Sequence, residues 1–412
     1  MPDGLLSELT ILDLTEDAGG PFATRLFAGY GARVIKVERP GRGDPARRVG
    51  PYPELARRRP GPNPSASLRA SPDAGALFLF LNTGKESATL DLATVTGRAL
   101  LLELAEHADA LIEGFPAGRL DALGLGVEAL HRRNPRLIVT SVTAFGGSGP
   151  YATYRDTDLT AFAAGGQMSV SGEPGRPPLV TAGHQAAYQA GIHAFGATLA
   201  GLFSVGVIEI GQHIEVTAME CQAATLELYL ADYVYRKTDI LAKRRGNVAA
   251  ATLGVFPCAD GYAGIHVMAR NFPSFARVMG AEWMLEDDRF RDARARLLHN
   301  DELLAHVLGW AATVTREEIY RRASEQRCAM APVLTVPEVL ERPHLRARGA
   351  FQELDDPRAG PLTYPGAPFR PGAGGWELRP APRLGEHNAE VYGELLGLRG
   401  RDLVRLRAAG VI

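Results

Sequence analysis

The sequence predicts an α/β fold: a Rossmann-like, doubly wound large domain with a smaller α+β domain set into the chain. Three observations carry this. Short apolar runs of strand length alternate with helical stretches through the first 146 residues. A charged, helix-rich region spans 272–326 and breaks that alternation. At 412 residues the chain also exceeds what one compact core usually supports.

In order, "LTILDLT" (9–15) is an apolar strand closed by the polar turn "EDAGG". Pro21 suits a first helical position, with a helix over 22–30, and "ARVIKVE" (32–38) is a second buried strand. Two such strands joined by a helix form a βαβ unit and imply parallel pairing. The pattern continues through "SATLDL" (87–92), a helix at 94–107, "ADALIEGF" (108–115) and "PRLIVTSVTAFG" (135–146). No G-x-G-x-x-G follows the first strand, so a nicotinamide site is not expected. The Pro-, Ser- and Arg-rich stretch at 54–74 reads as a surface loop or as a lid over an anionic ligand.

"GHQAAYQAGIHAFGATLAGL" (183–202) reads as a helix crowded with small residues, so something must pack very close to its backbone. From Gly183 to Ile208 it has no Asp, Glu, Lys or Arg, yet Gln189, His193 and Ser204 argue for a buried helix over a membrane span. A short strand and an amphipathic helix follow (211–237), then a hairpin signal, "ADG", between apolar runs. "MAPVLTVPEVL" (330–340) is expected to start the return to the first architecture, and two helices split at Gly397–Gly400 end the chain. The expected division is therefore 1–210, 211–328 and 329–412.

The net charge of −2 argues against nucleic acid or an anionic membrane as the main partner. Cys221, Cys258 and Cys328 fit no metal or redox spacing; with no secretory signal at the start, a cytoplasmic location is expected. Amides of Gly19 and Gly20 at a helix start, with Arg39, Arg42, Arg47 and Arg48 close behind in sequence, suit a polyphosphate ligand; solvated arginines are the plainer reading. Asn82 and Lys85 stand just before a strand, where a simple turn with an exposed lysine is the alternative to a ligand contact. His184 and His193 are nine apart and do not form a metal pair, and Asp156 or Asp158 has a sufficient role as a helix cap. No metal site and no catalytic triad can be assembled.

Taken in order, "ILDLT…GGPFATRLFAGYGARVIKVERPGRGD", "LNTGKESATLDL", "LIEGFPAGRLDALGLG", "NPRLIVTSVTAFGGSGPY", "APVLTVPEVLERPHLRARGAF" and "PRLGEHNAEVYGELLGL" resemble the class III CoA-transferase family (CaiB/BaiF type), which includes formyl-CoA and carnitine CoA-transferases and α-methylacyl-CoA racemases. The resemblance implies a dimer of two chains threaded like linked rings, and coenzyme A, as an acyl-CoA, as the ligand. It places Ala18, Arg39, Asn82, Lys85 and Phe115 at the CoA site, and a small carboxylic acid as second substrate.

The departures are specific. The family's transferases attack the thioester with an aspartate four residues before a helix glycine. Matching that glycine to Gly191 puts Ala187 at the nucleophile position. The racemases pair that aspartate with a histidine, where Thr157 stands here. Ala18 replaces a glutamine, Gly114 an asparagine, and 246–254 the glycine-rich loop of formyl-CoA transferases. The nearest carboxylates are Asp156, Asp158, Glu173 and Glu209, of which Asp158 is the catalytic candidate. Three readings follow: a CoA-transferase with a displaced catalytic group, a silent subunit paired with an active paralogue, or a CoA-thioester isomerase or hydratase using Gln185, Tyr188, His184 or Asp158 for acid–base work. The partner chain is accordingly a second copy or an active paralogue.

Overall fold

The computed structural model describes residues 4–52, 73–237, 246–372 and 374–412; the stretch expected as a loop or lid lies outside these from 54 to 72. The chain divides into two compact units. One comprises Met1–Gln167, Val180–Glu227 and Ala347–Ile412, the other Met168–Leu179 and Leu228–Arg346.

The first unit is built on a six-stranded sheet: β1 (Thr10–Leu14), β2 (Arg33–Glu38), β3 (Glu86–Thr89), β4 (Ala110–Glu113), β5 (Ile138–Thr143) and β6 (His213–Thr217). Its order is β3-β2-β1-β4-β5-β6 and every pair is parallel. Chain order reverses between β1 and β4, the topological switch point whose carboxyl side forms the ligand crevice in doubly wound sheets. Leu12, Ile35, Leu111 and Val139, one from each central strand, are fully buried in one core with Leu101 and Leu104 of the helix Val95–Glu106. That helix starts where Thr94 caps the Gly97 amide.

The first helix runs Gly19–Gly29, beginning earlier than its proline signal suggested, with Ala18 as N-cap. The small-residue helix runs Gln185–Ile208, and the two touch backbone to backbone. A Cβ on Gly191 would lie 2.5 Å from the Gly19 carbonyl oxygen, and one on Gly19 would lie 3.0 Å from that of Ala187. Only glycine fits at Gly191, and a side chain at Gly19 would be tight. A Gly191→Ala substitution should lose net stability: overpacking costs about 1–3 kcal/mol and exceeds a helix-propensity gain of about 1 kcal/mol. Gly196→Ala, with nothing within 4 Å of its new methyl, is the control and should not destabilise. Urea unfolding of the two variants checks this, and equal stability would refute the close contact.

The expectation of an all-round buried helix is corrected on one side. Ala186, Ala190, Gly191, Ala194, Thr198, Gly201 and Val205 form the buried stripe, and Thr198 bonds Thr140 of β5 at 2.8 Å. Ile192, Phe203 and Val207 are exposed on the other side. By length and composition the helix could cross a membrane, but its inner face lies on the sheet and the first helix.

The second unit carries an antiparallel sheet, β7 (Val248–Ala250), β8 (Leu253–Cys258), β9 (Gly261–His266) and β10 (Met330–Pro332), in the order β10-β9-β8-β7. Phe256, Phe272, Phe275, Phe290, Val307 and Ile319 form its core under helices including Phe272–Met279 and Asn300–Ala311. The "ADG" turn joins β8 to β9 as its sequence predicts. "MAPVL", expected to return to the first architecture, instead supplies β10, because Met330 pairs with Ile265 of β9. The first unit resumes at Ala347 with the hairpin β11 (Phe351–Asp356) and β12 (Gly360–Pro365).

Candidate active site

The carboxyl end of β1 leads into the turn Thr15–Ala18 and then the first helix. Beneath that turn lies a cluster of charged side chains with no solvent exposure. Asp13, the fourth residue of β1, accepts from the Thr15 amide at 3.0 Å, the Thr15 hydroxyl at 2.5 Å and the Thr24 hydroxyl at 2.7 Å. The Lys85 ammonium sits 2.9 Å from Asp13 and donates to the Pro21 carbonyl, the Thr24 hydroxyl and the Asn82 carbonyl oxygen at 2.7–3.0 Å. Lys36 of β2 donates to the Thr15 carbonyl at 2.7 Å and pairs with Asp44 at 2.8 Å. Asp44 in turn accepts from the Asp17 and Ala46 amides.

The electrostatics follow from this packing. Burial opposes the charge on Asp13, but Lys36, Lys85 and the Thr15 hydroxyl outweigh it and hold its carboxyl well below the usual range. Burial likewise opposes the Lys36 charge, and Asp13 and Asp44 raise its pKa regardless. For Lys85 burial wins: with Lys36 adding repulsion, its pKa falls to about 8 despite Asp13. The result is a rigid floor that fixes the carbonyls and amides of the turn above. Above it, burial and then Asp44 raise the carboxyls of Glu16 and Asp17. Asp17 holds a left-handed backbone (φ 66°), a conformation that costs a non-glycine residue energy.

The residues singled out in the sequence fall into three places. Ala18, Gly19, Ala187 and Asp158 come together: Gly19 abuts the Ala187 carbonyl, and Asp158 Oδ1 accepts from the Ala187 amide at 2.8 Å. Ala187 is the third residue of the long helix, and His184 at its N-cap makes no side-chain cap bond. Asp158 therefore caps this helix from another segment, satisfying a free amide and complementing the helix dipole. Thr157, ahead of it, closes a capping box with Thr160.

Arg39 follows β2 and is exposed with Arg42 and Arg48, while Phe115 follows β4 and is half-buried against the core. These two stand at the carboxyl ends of strands on either side of β1. Asn82 and Lys85 are brought together with each other, at the amino end of β3, and their polar atoms face inward to the floor. Arg47 is also turned inward: it is 1% exposed and binds both oxygens of Glu38 through Nε and Nη2, so it is a structural member of the expected arginine cluster.

The other carboxylates are elsewhere. Glu209 is the C-cap of the long helix, 22 residues and roughly 33 Å from Ala187 at 1.5 Å per residue. Glu173 accepts from the Asn247 amide within the second unit. Asp156 and His184 are part of the electrostatic environment of Asp17. His193 bonds the Gln189 carbonyl at 2.8 Å. The described residues hold no His, Cys, Asp and Glu group suited to a metal. Asp13, Lys36 and Asp44 escaped the sequence reading, although charged residues inside "TILDL" and "RVIKVE" were a usable signal, since a buried strand charge needs a partner.

The sequence signature described as CoA-transferase family III matches residues 6–388. The chain is 36% identical over 401 residues to the succinyl-CoA:(R)-benzylsuccinate CoA-transferase subunit BbsE of Thauera aromatica, covering 94% of this chain and 93% of that one. It is 32% identical to the succinyl-CoA–D-citramalate CoA-transferase of Chloroflexus aurantiacus, covering 100% and 99% of the two chains. Among solved structures, a CAIB/BAIF family protein from Brucella suis superposes with a TM-score of 0.80 at 28% identity, over 95% of this chain and 100% of that one.

Proposed function

Because the chain belongs to CoA-transferase family III, we propose that it binds a CoA thioester at the carboxyl edge of the parallel sheet and works as one subunit of a CoA-transferase. In this reading its paralogous partner supplies the nucleophilic carboxylate. The observation that carries the reading is the first turn of the long helix. At the position the family resemblance assigns to the nucleophile stands the methyl group of Ala187, and no residue of this helix is acidic. A methyl group cannot attack a thioester. The relative from Thauera aromatica, named as a subunit, supports a two-chain enzyme.

Arg39 and the amides of the first helix would face the CoA phosphates, and Phe115 the adenine or pantetheine. Asn82 and Lys85 would serve through the buried floor that holds the turn in place. The exposed face of the long helix, with Ile192, Phe203 and Val207, would be covered by the partner chain. The names of the two relatives pair succinyl-CoA, the thioester of a dicarboxylic acid, with the dicarboxylic benzylsuccinate or citramalate, so this substrate class is proposed for the chain as well.

One observation favours a second reading. Asp158 Oδ1 lies 2.8 Å from the Ala187 amide nitrogen, so a carboxylate stands beside that position, on another segment. Attack by its free oxygen would give a mixed anhydride and release CoA thiolate. Hydroxylamine in the presence of an acyl-CoA separates the two: it converts an enzyme anhydride or thioester into a hydroxamate. The purified chain should form none, and the co-expressed pair should form it on the partner. Hydroxamate on the chain alone, abolished by Asp158→Asn, would establish the second reading.

A further inference from the structure

Arg25, on the first helix, is 2% exposed and yet pairs with no carboxylate among the described residues. Its guanidinium carbon lies 4.4 Å from the Phe80 ring centroid and 5.1 Å from that of Trp376, and Nη2 donates to the Pro365 carbonyl at 3.2 Å. Nε is buried and has no hydrogen-bond partner among the described residues. The titratable groups acting on it are the hydroxyls of Tyr364 and Tyr188, and burial brings its pKa down to about 10. The contrast with Arg47 is direct: that arginine, equally buried, is held by Glu38.

A desolvated guanidinium without a counter-charge is costly, and proteins rarely keep one without a use. A second donor acts on the same charge. Tyr364 is 4% exposed and precedes the Pro365 carbonyl that Arg25 binds; its buried hydroxyl has no partner among the described residues and feels Asp356, Arg358 and Arg25. Tyr188 links this place to the candidate active site. It follows Ala187 on the long helix, its ring is 4.8 Å from that of Phe22, and its hydroxyl feels both Arg25 and Asp158.

We propose that Arg25 and the Tyr364 hydroxyl anchor the distal carboxylate of a dicarboxylic acid substrate, the one left free when the other end carries the thioester. The proposal rests on the CoA-transferase reading and names the substrate group this chain would hold. A guanidinium offers parallel N–H groups matched to a carboxylate, and the Phe80 and Trp376 rings exclude water, which strengthens the pair. A monocarboxylic acid of equal length, with its one carboxyl at the reacting end, would leave the cation as unpaired as it is without ligand.

Calorimetric titration of the full-length chain with succinate, butyrate and, separately, CoA tests this. Succinate should bind at least about 30-fold more tightly than butyrate, and Arg25→Met should abolish that ratio while leaving CoA affinity unchanged. Tyr364→Phe, a milder change, should weaken succinate severalfold and butyrate not at all, and decides the matter if Arg25→Met does not fold. Equal binding of the two acids would overturn the proposal, and is the result expected if a carboxylate of a partner chain fills the place. Absence of CoA binding to the wild type would overturn the CoA-thioester reading, leaving the ratio of the two acids to judge Arg25 separately.

Discussion

Replacing Asp13 with alanine should destabilise the chain by about 3–5 kcal/mol, the usual cost of breaking a buried ion pair from one side. Its carboxylate has no exposure and receives the Lys85 ammonium at 2.9 Å, with Lys36 at 3.9 Å. Without it, Lys85 keeps only neutral oxygens from Pro21, Thr24 and Asn82. Glu86→Gln is the comparison. Its pair with Arg33 is 3.0 Å long but about a quarter exposed on both sides, where such pairs contribute up to about 1 kcal/mol. Denaturant unfolding of both variants reads the difference, and similar losses would show that the floor is not a stabilising unit.

The same carboxylate sets an acid limb. Its folded pKa lies below the ordinary 3.8, so its contribution is full above that value and is lost as pH falls through the folded value. Glu38, held low against burial by Arg47, acts in the same direction below its ordinary 4.5. The melting temperature should therefore drop below about pH 4, and Asp13→Asn should flatten that drop.

Introducing the missing carboxylate is the second large effect. Ala187→Asp in the purified chain should create a hydroxylamine-sensitive acyl-enzyme on incubation with acyl-CoA. The single-turnover rate should rise on the order of 10³-fold, about 4 kcal/mol of barrier at 1.36 kcal/mol per tenfold. The local structure permits the side chain, because the close contact with Gly19 is made by the Ala187 carbonyl and Ala187 is only half-buried. The proximity of Asp158 would raise the pKa of the new carboxyl, so the reaction should quicken toward higher pH. A variant as inert as the wild type toward hydroxylamine would mean that position 187 does not face the thioester.

Much of the first unit was legible because its strands announce themselves locally. "LTILDLT", "ARVIKVE" and "ADALIEGF" are apolar runs closed by polar turns, and β1, β2 and β4 lie inside them. Close packing against the long helix was legible too, from its small residues, but not that its partner is the backbone at Gly19. The path of "MAPVL" was not, because a three-residue strand carries no periodicity and its place depends on pairing with β9, over 60 residues earlier.

By itself the sequence determined the parallel α/β architecture, the family and the absence of an acidic residue on the long helix, because these depend on residue type and order. Only the tertiary structure decided where the charges point. It turned Lys85, Asn82 and Arg47 inward, set Asp158 against the Ala187 amide and left Arg25 buried without a carboxylate among the described residues. The physical reason is that a charged side chain's role depends on its partners and its desolvation. Here those partners stand 72 residues away for Lys85 and 29 for Asp158, separations over which composition and spacing carry no signal.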